Sequence, residues 1–178
     1  MKKIIIIVLF ACVNCIAFSQ DQISIGVNAT SGFLSDLSGN MYNASTYGLS
    51  FERKFTNNFG FETGYYNKSY IFSDMYLNVK YNSIPLFLKY YSSFVNISGG
   101  LNIDFLNEIQ TFSPQFIVTD LNYFYPILIG VNLKISKDFQ INEKLTLEPE
   151  AAVNYNSNNI AFQYTFGMKF KYQIFKKK

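Results

Sequence analysis

The sequence predicts an all-β fold of eight antiparallel strands, and three observations predict it. A two-residue alternation returns along nearly the whole chain after residue 20. In the stretch 22–33, Ile23, Ile25, Val27 and Ala29 fall on one face, and Ser24, Gly26, Asn28 and Thr30 on the other, because successive strand side chains point to opposite faces. The stretches are about as long as a tilted strand needs to cross a bilayer. The polar face is rich in Gly, Ser, Asn and Thr with interspersed charge, whereas the opposite face is large, apolar and aromatic. A soluble barrel or sandwich would turn its apolar face inward and show charge outside. The three together specify an eight-stranded antiparallel up-and-down transmembrane β-barrel.

Residues 1–19 read as a signal peptide and residues 20–178 as one barrel domain. Lys2 and Lys3 form a positive start, Ile4 to Ala11 a short apolar run, and Ala17-Phe18-Ser19 a cleavage site that places the cut before Gln20. Leu9-Phe10-Ala11-Cys12 loosely resembles a lipobox, but Phe10 fits that motif poorly. Both cysteines, Cys12 and Cys15, lie in the leader, so the remainder has no thiol, disulfide or Cys-based metal site. The chain carries 15 Lys and Arg against 12 Asp and Glu; without Lys2 and Lys3 the balance falls to +1. No basic patch of the kind that nucleic acid needs is present. Mean hydropathy is near zero, as expected where polar lumen residues cancel apolar outer ones.

The strands follow in order. The first covers about 22–33, and a polar loop with Gly39 and Asn40 follows it. The second, about 44–55, places Tyr47, Leu49, Phe51 and Phe55 outward and Thr46, Gly48, Ser50, Glu52 and Lys54 inward. Thr56-Asn57-Asn58 is a tight turn. The third, about 59–70, opposes Phe59, Phe61, Thr63 and Tyr65 to Gly60, Glu62, Gly64, Tyr66 and Lys68. The fourth, about 78–91, carries Ile84, Leu86, Leu88 and Tyr90 outward, and turns at Ser92-Ser93 into the fifth, 94–105. Residues 106–120 form the longest connection. The sixth strand starts near 121, with Tyr123, Tyr125, Ile127, Ile129, Val131 and Leu133 outward. It turns either at 136–138 or, keeping its parity through Phe139 and Ile141, at 142–144; short periplasmic turns favour the second. The seventh covers about 145–155, a turn 156–159, and the eighth about 160–174. Pro85, Pro126 and Pro149 fall inside strands, where a missing N–H predicts bulges. Phe and Tyr near strand ends fit interfacial girdles, so outer-membrane lipid is the first partner expected.

YNSIPLFLKY, Tyr81 to Tyr90, resembles the Y-x-x-I-P-L-x-x-K-Y pattern of a small outer-membrane β-barrel family, the porin-family or PorT-like group common in Bacteroidota. Gly99-Gly100, Gly130-Val131 and a leader ending Phe-Ser-Gln are also similar to that family. The resemblance spans the mature chain, with Ile84-Pro85-Leu86 its most specific part. It implies a barrel, though not an open pore. The chain departs from the family at its end, where Lys176-Lys177-Lys178 follows Phe175 in place of a final aromatic. The best-studied members are larger, so a role beside a secretion machine does not carry over directly.

No catalytic constellation stands out and no cofactor is implied. The chain has no His, which removes the imidazole base of a Ser/His/Asp arrangement. By parity Glu52, Lys54, Glu62, Lys89, Lys134, Glu148, Glu150 and Lys169 all point inward, four acids and four bases that form a self-neutralising lumen charge network. If Phe55 faces Phe59, Glu52 lies directly opposite Glu62, and Lys54 and Lys89 are the nearest bases to separate them. Asp104, Glu108 and Asp120 flank the long loop without calcium-loop spacing and read as solvated. Four Asn-x-Ser/Thr matches, at Asn28, Asn43, Asn67 and Asn96, read as chance in an Asn-rich chain. The Lys176–Lys178 run reads as a solvated tail. The role expected is structural or binding, through extracellular loops that meet a ligand. The rivals are porin-like passage of small solutes and an accessory place among secretion-machinery subunits; an outer-membrane enzyme comes last.

The mature chain is expected to begin at Gln20, and intact-mass measurement of the purified protein checks this; lipid on Cys12 would overturn it.

Overall fold

The computed structural model describes residues 22–35, 39–73, 76–112, 124–156 and 161–176. The leader and its cleavage site, Asp120, the turn after Asn156 and the last two lysines lie outside the described residues. Nine strands are described: β1 (Gln22–Ser35), β2 (Met41–Lys54), β3 (Phe59–Phe72), β4 (Leu77–Tyr91), β5 (Asn96–Thr111), β6 (Ile127–Ser136), the two-residue β7 (Phe139–Gln140), β8 (Leu145–Asn156) and β9 (Ala161–Lys176). Each long strand pairs antiparallel with its neighbours in sequence. β1 also pairs with β9, and β6 with β8. The eight long strands therefore form a closed up-and-down barrel with no free edge between them, which satisfies every ladder from within.

β7 is the end of β6 rather than a ninth wall. Phe139↔Leu147 and Gln140↔Thr146 continue the β6–β8 register without a shift. The break falls at Lys137 and Asp138, opposite Pro149, whose carbonyl accepts a bond from the Lys137 N–H at 3.2 Å. The turn then lies at 141–144, where Asn142 Oδ1 accepts from the Lys144 and Leu145 N–H groups. This turn joins those at 55–58 and 92–95 at one end of the barrel, with Gln22 and Lys176 beside them. Thr111 and Ile127, where β5 ends and β6 begins, are at the other end.

The structure corrects the strand limits in places. β5 runs on to Thr111, because the upper half of β4 holds it through Leu77↔Thr111. β6 begins at Ile127, not near 121, and Tyr125 and Pro126 precede it. Pro126 cannot donate, and its carbonyl instead accepts from the Leu106 N–H at 2.9 Å. Val95 belongs to the turn, where Ser92 Oγ accepts from the Phe94 and Val95 N–H groups. Neither Pro85 nor Pro149 makes a bulge. The β3–β4 register is the same on both sides of Pro85, from Thr63↔Leu86 to Tyr66↔Ser83, and Thr63 Oγ1 donates to the Pro85 carbonyl at 2.8 Å. That bond draws Thr63, on the outer parity, into cover.

The register shifts fall elsewhere and redirect side chains. Between Lys80 and Tyr81, β5 carries an extra residue, so Tyr81 faces Leu106 while Lys80 faces Glu108. Beyond it Ile109 packs against the buried Val79, and Glu108 meets Lys80 outside at 3.0 Å. A second shift skips Ile174 opposite Ile23 and Ser24, leaving both Ile174 and Phe175 exposed.

A barrel of eight strands has an interior only wide enough for side chains, and close approach of backbone demands small residues on some inward positions. At Gly48 an added Cβ would lie 2.2 Å from the Tyr65 carbonyl oxygen and 2.5 Å from the Tyr66 ring. Gly48→Val is expected to prevent closure of the barrel. Loss of the faster-migrating unheated band in gel electrophoresis checks it.

Candidate functional site: the ion cluster in the lumen

The charges of the lumen gather toward the short-turn end. Glu52 and Glu62 face each other across β2 and β3, as the Phe55–Phe59 closure requires; the Phe55 N–H donates to the Phe59 carbonyl at 3.0 Å. Lys89, from β4, lies between them. Its ammonium is 2.8 Å from Glu52, 3.9 Å from Glu62 and 2.5 Å from Glu148 of β8. Lys134 of β6 and Lys169 of β9 each reach Glu62 at 2.6 Å. Lys134 also lies 3.3 Å from Glu150, and Lys169 3.7 Å from both Glu148 and Glu150. Lys89, Lys169, Glu62 and Glu148 have no solvent exposure at all. Isolated charges there would be prohibitive, so each must be answered by an opposite charge and by hydrogen bonds.

The structure thus brings seven of the eight expected residues into one cluster and leaves Lys54 out of its ion pairs. Lys54 lies near the strand end, with its ammonium 4.3 Å from the centre of the Tyr91 ring, where it makes a cation–π contact instead. Two members were not anticipated. Lys171 reaches Glu52 at 3.1 Å, Glu148 at 3.0 Å and Asp138 at 2.6 Å. Both Lys171 and Asp138 share the inward parity of their strands, which is the signal that would have found them. Asn28 donates to Glu150 at 2.5 Å, and Ser136 donates to Glu148.

A separate pair sits higher. Asp104 is wholly buried and takes Lys68 at 2.8 and 3.0 Å. It is a lumen residue of β5 and not a solvated flank of the long loop. At the long-loop end the lumen turns apolar. Leu34, Tyr42, Tyr70, Val79, Tyr81 and Leu128 are buried together, with Phe72 and Phe124 packed on them. Of the Asn-x-Ser/Thr matches, Asn28 and Asn96 face the lumen and are buried.

One carboxylate oxygen each from Glu52, Glu62 and Glu148 lie within 4.8 Å of one another, close enough to hold a metal ion. The Lys89 ammonium already stands among the same three groups, so the carboxylates have their counter-charge from within the chain.

No protein-family model matches the chain, and no curated protein matches its sequence. Solved structures do match its fold. Neisserial surface protein A superposes with a TM-score of 0.61 at 11% identity, over 85% of this chain and 97% of that one. Ail, the attachment invasion locus protein of Yersinia pestis, gives 0.54 at 10%, over 88% and 100%. The outer membrane protein OprG from Pseudomonas aeruginosa gives 0.50 at 16%, over 86% and 96%. The chain therefore has the fold of the small outer-membrane β-barrels.

Removing Lys89 takes from Glu52 and Glu148 their nearest shared base and leaves Lys171 as the one base that still reaches both. Lys89→Met is expected to destabilise the barrel by about 3–5 kcal/mol. Adding Glu148→Gln, rather than a change at Glu62, is expected to restore part of that loss, because Glu62 keeps Lys134 and Lys169. Urea unfolding in bilayers measures both variants; strictly additive losses would contradict the cluster as a unit.

Proposed function

We propose that the chain is a Gram-negative outer-membrane β-barrel protein, delivered by a cleaved leader, non-enzymatic, and closed to solutes by its own lumen side chains. Its role is structural or binding, exercised at the long-loop end. The observation that carries this reading is the inverted polarity of the barrel. Val27, Leu49, Leu133 and Phe166 are more than half exposed on the outer wall, while Lys89, Lys169, Glu62 and Glu148 are buried in the lumen. An apolar surface of that extent fits hydrocarbon and not water. The short turns, Gln22 and Lys176 share one end, which supports a periplasmic position for that end and an extracellular one for the far ends of β5 and β6.

Two further points support the reading. The resemblance of Tyr81 to Tyr90 to the porin-family pattern of Bacteroidota belongs to the same class of barrel. The Yersinia pestis Ail barrel has been solved in complex with the heparin analogue sucrose octasulfate, so a barrel of this size is sufficient to carry a ligand site. The lumen supports binding over transport: an ion cluster fills one end and an aromatic cluster the other, and eight strands leave no wider path.

The protein is expected to fractionate with the outer membrane, to migrate faster on gels before heating than after, and to give no steady conductance in planar bilayers. Extraction by carbonate as a soluble monomer would overturn the location. A stable open channel would overturn the closed lumen.

A further inference from the structure

A pocket of about 50 Å³ lies in the lumen between the ion cluster and the aromatic cap. Five polar atoms of its lining residues have neither a hydrogen-bond nor an ion-pair partner among the described residues: Asn28 Oδ1, the Tyr66 hydroxyl, Asn102 Nδ2, Asn132 Oδ1 and Asn154 Oδ1. They come from five strands, β1, β3, β5, β6 and β8, so they converge from most of the ring. Asn28 and Asn154 are each oriented by bonds donated from Nδ2, to Glu150 and to Asn156 and Gln163, which leaves Oδ1 as the atom in need. Folded proteins rarely leave one such buried atom unanswered, and five around a single pocket call for a common partner.

The charges around the pocket say what that partner is. Glu150 is answered by Lys134 at 3.3 Å and Lys169 at 3.7 Å, and Lys68 by Asp104 at 2.8 Å. A cation would meet the Lys68 and Lys134 ammoniums, and an anion the Glu150 carboxylate. The pocket is neutral, and its unanswered atoms are mostly acceptors. A small neutral molecule that both donates and accepts fits them. We propose that this pocket is a binding site for a cluster of about two or three water molecules, which hydrogen-bond Asn28, Tyr66, Asn102, Asn132 and Asn154 and tie five strands together through the lumen.

The test is water-to-amide cross-relaxation by NMR on the folded barrel in lipid nanodiscs. Long-lived water contacts are expected at the side-chain amides of Asn28, Asn102, Asn132 and Asn154, and none at the Val79 and Leu128 methyls of the apolar cap. Absence of contacts at those amides overturns the proposal. Exchanging sodium chloride for rubidium chloride or sodium bromide is expected to leave the amide shifts unchanged; a saturable shift would identify an ion and overturn it. Asn154→Leu fills the pocket and is expected to abolish the contacts at Asn102 and Asn132. Their persistence in a folded variant would overturn the placement, and if that variant does not fold, the parent spectrum alone decides.

Discussion

Glu52 and Glu62 lie directly across from one another on neighbouring strands, and the hairpin that joins them allows no other register. Two carboxylates so placed, both cut off from water, repel each other strongly. In the closed barrel Lys89 from the next strand, Lys134 from β6 and Lys169 and Lys171 from β9 answer them. These bases come from β4, β6 and β9, so the cluster forms only when the ring is complete. Closure of the backbone ladder and neutralisation of the lumen are therefore one event. A bundle of ion pairs adds little net stability over an apolar filling, but it ties together strands that the ladder alone joins only to their neighbours.

The rest of the interior follows from width. Small residues let the strands approach one another, as at Gly48, and long side chains from the opposite wall fill the space that remains. Where the lumen is charged, lysine ammoniums also lie over aromatic rings; that of Lys134 is 5.3 Å from the Phe87 ring centre and that of Lys89 5.2 Å from that of Tyr91. Toward the long-loop end, charge gives way to tyrosine and aliphatic side chains. There the Tyr70 hydroxyl donates to Gln163 at 3.0 Å, joining the apolar cap to the polar section beneath.

Irregularities in the ladder decide which way several functional side chains point. The extra residue in β5 turns Glu108 out of the lumen and Ile109 in. The break between β6 and β7 lies opposite Pro149 and frees Asp138 to meet Lys171. The prolines themselves cause no bulge, since a missing donor can be tolerated in a continuous register when a side chain such as Thr63 takes the neighbouring carbonyl.

The alternation of apolar and polar residues determined by itself the strand count, the closed antiparallel order and, away from the register shifts, which face a residue takes, because parity along a strand is a local property of the backbone. It put Glu52, Glu62, Lys89, Lys134, Glu148, Glu150 and Lys169 on the inner wall, and the Phe55–Phe59 hairpin put Glu52 against Glu62. Parity alone also held Lys171, Asp138, Lys68 and Asp104, though nothing in sequence says at what height each lies. Height depends on the stagger between strands far apart in the chain, such as β1 with β9 and β6 with β8, and on register shifts that carry no local signal. Only the tertiary structure therefore decided that Lys54 turns to Tyr91, that Asp104 is buried with Lys68, and that five unanswered polar atoms meet around one pocket. Each of these is a distance across the lumen, and such distances exist only once the ring has closed.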